Sequence, residues 1–182
     1  MQFVETSLPD VIRIAPALHR DDRGFFMETW QAKRFREAGI DADFVQDNFS
    51  QSSRGTLRGL HYQIQQTQGK LVRVVSGEVF DVAVDLRRSS ANFGQWVGEI
   101  LSAENKRQLW IPPGFGHGFL VLSDIAEFEY KCTDYYAPEF ERAIRWDDPD
   151  IAIEWPLPDG ERPVLSNKDE AAPFLKDAET YA

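Results

Sequence analysis

The sequence predicts an all-β sandwich or barrel, and three observations lead there. Apolar and polar residues alternate along short stretches, turn signals separate those stretches at short spacing, and helix signals are few. Alternation sends successive side chains to opposite faces, so one face of a strand can pack while the other meets solvent or lines a cavity.

Taken in order, residues 3–6, 11–14 and 24–28 are short strand candidates. Thr29 can cap a helix running to Glu37 or Ala38, with Gly39 just past its end. The clearest pattern spans 70–86. Residues 71–75 read as one strand, Ser76, Gly77 and Glu78 as a turn, and 79–86 as a second strand of period two. In that second strand Phe80, Val82, Val84 and Leu86 share a face expected to be packed core. Val79, Asp81, Ala83 and Asp85 share the other, expected to wall a polar cavity. Further strands are expected at 96–102, 108–111, 118–122 and 126–132. Asn92-Phe93-Gly94, Glu104-Asn105-Lys106, Pro112-Pro113-Gly114 and Ser123-Asp124 supply the turns. Ser166 can cap a short turn ending near Pro173, and 176–182 are expected to be loosely held. No repeat, low-complexity tract or linker divides the 182 residues, so a single domain over 1–182 is expected.

Composition narrows the function classes. The net charge of −10 argues against nucleic acid or a membrane surface as partner, although arginines gathered in one cleft can still hold an anionic small molecule. No apolar run approaches the roughly 20 residues a membrane helix needs. The first residues lack a basic segment followed by an apolar one, so a cytoplasmic location is expected. The single cysteine, Cys132, allows no internal disulfide. Thirteen phenylalanines and five tryptophans point to an aromatic core or an aromatic-lined pocket.

Three histidines can be weighed one by one. His61, in Arg58-Gly59-Leu60-His61-Tyr62-Gln63, shares a face with Gln63 rather than with Leu60 and Tyr62. Histidine is the side chain best placed to exchange protons near neutral pH, but a histidine satisfied by backbone carbonyls fits the same pattern. His117 sits where two prolines and three glycines shape a tight loop entering a strand; it fits a cavity mouth or a structural turn. His19 reads as a solvated loop residue. The histidines lack metal-ligand spacing and one cysteine cannot complete a set, so no metal is expected. Lys70 shares a face with Val72 and Val74 and fits either a solvated edge residue or a partner of Asp81 inside a cavity. Tyr130 fits a rim aromatic or a general acid. Asp169, three residues after Ser166, fits a helix capping box. Arg23 and Arg58 are of the type that holds diphosphate.

Together these segments resemble the dTDP-4-dehydrorhamnose 3,5-epimerase family of cupin-type enzymes along essentially the whole chain. The motifs are Asp22-Arg23-Gly24-Phe25-Phe26-Met27-Glu28, Gln46-Asp47-Asn48-Phe49-Ser50 and Leu57-Arg58-Gly59-Leu60-His61-Tyr62-Gln63. Gly69-Lys70-Leu71-Val72-Arg73-Val74, Asp81-Val82-Ala83-Val84-Asp85-Leu86-Arg87 and Pro113-Gly114-Phe115-Gly116-His117-Gly118-Phe119 follow. Tyr130-Lys131 and Leu165-Ser166-Asn167-Lys168-Asp169 complete the set. The resemblance implies a cupin-like double-stranded β-helix, a jelly-roll barrel with a few short peripheral helices. It implies epimerisation at C3 and C5 of dTDP-4-dehydro-6-deoxy-D-glucose through enolates, without a cofactor, on the way to dTDP-L-rhamnose and a rhamnose-containing surface polysaccharide such as O-antigen. His61 would be the base, oriented by Asp169, with Tyr130 the acid on the opposite face of the sugar. Lys70 would sit by the C4 oxygen, with Asp81 as possible support. Arg23, Glu28, Gln46, Asn48, Arg58, His117, Glu141 and Lys168 would hold the nucleotide or sugar, and Phe26 would line the thymine pocket. A homodimer is implied, with the nucleotide site shared between subunits.

Overall fold

The computed structural model describes residues 1–182. Its first sheet runs, in spatial order, β1 (Gln2–Glu5), β2 (Ile12–Ala15), β10 (Gln108–Ile111), β7 (Lys70–Ser76), β12 (Ile125–Cys132) and β5 (Gln46–Ser53). The second runs β13 (Glu141–Ala143), β6 (Leu57–Gln63), β11 (Phe115–Val121), β8 (Glu78–Asp85) and β9 (Trp96–Ser102). All pairings within them are antiparallel, and each sheet draws strands from across the chain, as in a jelly-roll barrel. Val72, Val74 and Phe128 of the first sheet share one buried cluster with Val79, Ala83, Phe115 and Phe119 of the second. The main core is thus the space between the sheets. β3 (His19–Asp21) and β4 (Gly24–Phe26) form a separate, exposed ribbon.

The face of Phe80, Val82, Val84 and Leu86 is packed core as expected, but the face of Val79, Asp81, Ala83 and Asp85 is buried too and does not line the cavity. Val79 and Ala83 point into the inter-sheet core beside Asp81. Val82, Val84 and Leu86 lie on the outer face, where Ile151, Leu175 and Ala178 bury them, with Trp155 and Tyr181 packed against the cluster. Period two separates two faces but does not say what covers each, and here the facing sheet buries one and a covering layer the other. Two residues of that cover, Ala178 and Tyr181, belong to the C-terminal stretch expected to be loose. Instead Tyr181 N–H donates to Leu86 O at 3.1 Å, Tyr181 O accepts from Arg88 N at 2.9 Å, and the Tyr181 hydroxyl donates to Gln63 O at 2.7 Å.

Helix α1 (Ala32–Glu37) is capped by Gln31, not Thr29: Gln31 Oε1 accepts from Arg34 N at 2.8 Å, while Thr29 O accepts from Gln108 Nε2. Gly39 follows with φ +86, as a residue past a helix end should. Phe35 of α1 seals the outer face of the first sheet with Ile14, Leu71 and Trp110. Helix α2 (Asn167–Glu170) is capped by Ser166 as expected. β5 was not foreseen, because it is mostly polar on both faces: Gln46, Asn48, Ser50 and Ser52 alternate with Asp47, Phe49, Gln51 and Ser53. His19 lies in the ribbon rather than in a loop. No helix is long and apolar enough to cross a membrane.

Candidate active site

A cavity of about 300 Å³ opens between the sheets. The first sheet contributes Gln46 and Asn48 of β5, Lys70 of β7 and Tyr130 of β12. The second contributes His61 and Gln63 of β6 and Glu141 of β13. Gln68 and Tyr136 reach in from loops.

His61 stands on one wall. Its Nε2 lies 2.5 Å from Asp169 Oδ1, on a carboxylate only 3% exposed. The second oxygen, Oδ2, accepts the Ser166 hydroxyl at 2.8 Å, while the Asp169 N–H donates to Ser166 Oγ at 3.2 Å. Asp169 is therefore both the cap partner and the orienter of His61. Burial pushes its carboxyl up, but the His61 hydrogen bond and charge, Ser166 and Lys168 outweigh that and hold it below the usual carboxylate range. An ionised carboxylate can only accept, so Nε2 carries the proton and Nδ1 is left with its lone pair.

Tyr130 and Lys70 stand on the facing wall, on strands paired side by side. Burial raises the Tyr130 hydroxyl, opposed by the nearby Arg58 charge. β7 lies between β10 and β12, so Lys70 is not an edge residue; it is half-buried and faces the cavity. Burial lowers its ammonium, opposed by Cys132 and by the charges of Asp81 and Glu141. Asp81 is fully buried; one oxygen bonds His117 Nε2 at 2.9 Å and the other, Oδ1, has no partner within the protein. Burial pushes the Asp81 carboxyl up, against the pull of His117 and Lys70. His117 stacks on Phe128 and pairs across the strands with His61, but is buried and does not line the cavity, so it is not at the mouth.

The remaining expected residues divide. Glu141 accepts Tyr136 OH at 2.9 Å and is ion-paired to Lys168. Gln46 Nε2 donates to Asn48 Oδ1 at 3.0 Å. Arg58 donates to Ser52 Oγ at 3.0 Å, close enough for its charge to bear on Tyr130. Arg23, Phe26 and Glu28 are not brought to this cavity. Arg23 pairs with Asp21 on the exposed ribbon, Phe26 is 70% exposed beside it, and Glu28 pairs with Arg34. β3 and β4 pair only with each other, in a sheet separate from the two barrel sheets, which leaves Arg23 and Phe26 outside the barrel. Tyr136 and Gln68 were missed: both lie in loops, where no alternation assigns a face. Gln68 could have been found from Gln68-Gly69-Lys70, since residues two apart in extended chain share a side.

A pocket with a histidine–carboxylate dyad on one wall and a phenol on the other suits proton transfer at both faces of one small molecule. Housed in a jelly-roll barrel, it places the chain among the cupin-type isomerases. Comparison with known proteins narrows the class. The model of the dTDP-4-dehydrorhamnose 3,5-epimerase family matches residues 5–177, and the chain belongs to that family. A dTDP-4-dehydrorhamnose 3,5-epimerase of Pseudomonas aeruginosa is 59% identical over 182 residues, covering 100% of this chain and 99% of the relative. The crystal structure of dTDP-6-deoxy-D-glucose-3,5-epimerase from Legionella pneumophila, in complex with dTDP-4-keto-L-rhamnose, superposes with a TM-score of 0.93 at 60% identity, covering 97% of this chain and 93% of that one. A 3'-monoepimerase from Streptomyces bikiniensis, in complex with dTDP-quinovose, has a TM-score of 0.87 at 37% identity over 94% of this chain and 87% of its own.

Proposed function

We propose that the chain epimerises C3 and C5 of dTDP-4-dehydro-6-deoxy-D-glucose, giving dTDP-4-dehydro-L-rhamnose for dTDP-L-rhamnose synthesis, with His61 as base and Tyr130 as acid. One observation carries the assignment of roles: His61 and Tyr130 come from opposite sheets and line the same cavity. A hexose lying between them has a base on one face and a proton donor on the other, which is what inversion at carbon requires.

The chemistry follows from the groups present. Hydrogens at C3 and C5 are acidic because the C4 ketone takes up the charge. His61 Nδ1 removes the proton and becomes imidazolium, stabilised by Asp169; the electron pair moves to the C4 oxygen as an enolate. Lys70 faces that oxygen, where losing one such donor typically costs about 2.7–4 kcal/mol. Tyr130 then delivers a proton from the other side. Gln46, Asn48, Arg58, Glu141 and Lys168 would orient the sugar and phosphates, and His117 with Asp81 would hold the floor beneath Lys70.

Arg23, Phe26 and Glu28 serve this reading only in a homodimer, in which the ribbon of one subunit meets the cavity of the other. The exposure of Phe25 and Phe26, 46% and 70%, supports a surface that is covered in the assembly. In heavy water, deuterium should enter both C3 and C5; incorporation at one carbon would instead favour a mono-epimerase. His61→Asn should nearly abolish exchange at both, and normal exchange would remove His61 as base. Dimers mixed from Arg23→Ala and His61→Asn chains should recover activity, since one of the two sites then carries neither change.

A further inference from the structure

The loop after β12 has no strand to pair with, yet four consecutive residues of it are bonded through the backbone to glutamine side chains. Gln68 Nε2 donates to Asp134 O at 2.8 Å. Gln63 Nε2 donates to Tyr135 O at 3.2 Å. Tyr136 N–H donates to Gln46 Oε1 at 2.9 Å. Ala137 N–H donates to Gln63 Oε1 at 2.8 Å. The second hydrogen of Gln63 Nε2 goes to Gln66 O at 2.7 Å, so both of its donors are committed within the protein. Gln63 lines the cavity and is 3% exposed, but has no donor left for a ligand.

We propose that Gln63 and Gln68, with Gln46, form an amide clamp that fixes Tyr136 at the cavity mouth, and that Gln63 and Gln68 are thereby positioning residues for the nucleotide-sugar. Ala137 is buried and its N–H must find a partner, and the bonds to Asp134 O and Tyr135 O are partly buried, so these bonds hold the loop in one place. The three glutamines sit on the same stretches as the cavity residues: Gln46 two before Asn48, Gln63 two after His61, Gln68 two before Lys70. The loop is therefore registered to the walls of the cavity itself. Tyr136 is 53% exposed and its hydroxyl is held by Glu141, so its ring stands where a substrate too long for the cavity must leave it. A sugar between His61 and Tyr130 would direct its diphosphate and nucleoside past that ring.

This inference rests on the function proposed above, and the experiment separates the two. Gln63→Met keeps the volume and strands Ala137 N–H, Tyr135 O and Gln66 O without side-chain partners. Leaving such groups unpaired is large enough to raise KM for dTDP-4-dehydro-6-deoxy-D-glucose on the order of tenfold to a hundredfold. Saturating kcat should change by less than about threefold, with deuterium still entering both carbons, because the proton-transfer groups stay in place. Gln68→Met should shift KM the same way by less. In a Tyr136→Ala background the same glutamine changes should have little further effect, because the clamp acts through that ring. Effects that multiply independently with Tyr136→Ala, or a loss of kcat with KM unchanged, would overturn the clamp. Should Gln63→Met fail to fold, Gln68→Met with and without Tyr136→Ala decides the matter. No exchange by the unaltered chain would overturn the proposed function and the clamp together.

Discussion

Asp169→Asn preserves side-chain volume and removes one charge, which makes it the sharpest probe of the dyad. The native carboxylate accepts from His61 at 2.5 Å and from Ser166 at 2.8 Å, so both oxygens are in use. An amide has one oxygen and one donor nitrogen. If the nitrogen faces His61, it selects the tautomer with the proton on Nδ1, and the base has no lone pair for the substrate. If the oxygen faces His61, the tautomer is right but the imidazolium formed on proton abstraction loses its counter-charge. A hydrogen bond to a charged group contributes about 1.5–3 kcal/mol. At about 1.4 kcal/mol per tenfold, kcat should fall roughly tenfold to more than a hundredfold in the milder case, and further in the other. The fold is not at stake, because the backbone cap from Asp169 N–H to Ser166 Oγ remains. Turnover and deuterium entry at C3 and C5, followed by proton NMR, should decline together, since one base serves both carbons. Full activity at both carbons would refute the dyad; loss at one carbon alone would show that another group serves the second.

Three further outcomes are expected. Lys70→Met should lower kcat about 10²–10³-fold with a smaller change in KM, measured in steady state. Tyr130→Phe should lose inversion more than exchange, because His61 can still remove and return a proton on its own side; NMR of the sugar in heavy water distinguishes washed-in from inverted product. The Asp85 carboxyl is pushed up by burial but held below its usual range by Arg87 and Ser90, which together make four hydrogen bonds to it. A depressed folded value means the stability it contributes is present above the unfolded value near 4 and is lost as pH falls through the folded one. Asp85→Asn should therefore lower stability by about 1.5–3 kcal/mol at pH 6 and flatten the fall in melting temperature below pH 4, read by calorimetry.

The strands with apolar alternation were legible because burial on one face leaves a pattern of period two. β5 was not, because its inner residues line the cavity and its outer ones meet solvent, so neither face needed to be apolar. The same reason separates the site residues. His61, Lys70 and Tyr130 could be assigned faces from their strands, whereas Tyr136 sits in a loop whose conformation depends on side chains from three other segments. The C-terminal stretch misled for a related reason. Its last residues are short of apolar pattern, yet Tyr181 finds a hydrogen-bonded seat against β6 that no local signal encodes. Arg23, Phe26 and Glu28 were recognisable by motif, but no periodicity could say that their own chain's fold leaves them away from the cavity.

The short helix α2 shows how a capping signal and a contact to His61 fall on one residue. Ser166 Oγ accepts the Asp169 N–H and its hydroxyl donates to Asp169 Oδ2, so the cap that starts the turn also holds the carboxylate toward β6. The preceding residue, Lys168, is ion-paired to Glu141 on β13, the strand next to β6. One turn of helix thus grips two adjacent strands of the cavity wall through consecutive side chains, one orienting His61 and the other holding Glu141. A base oriented by a flexible segment would lose the alignment that proton transfer needs. Here the segment is pinned by its own cap on one side and by an ion pair on the other. The capping reading of Ser166 and Asp169 was therefore correct and incomplete: the cap is also the means by which this turn holds the carboxylate against His61.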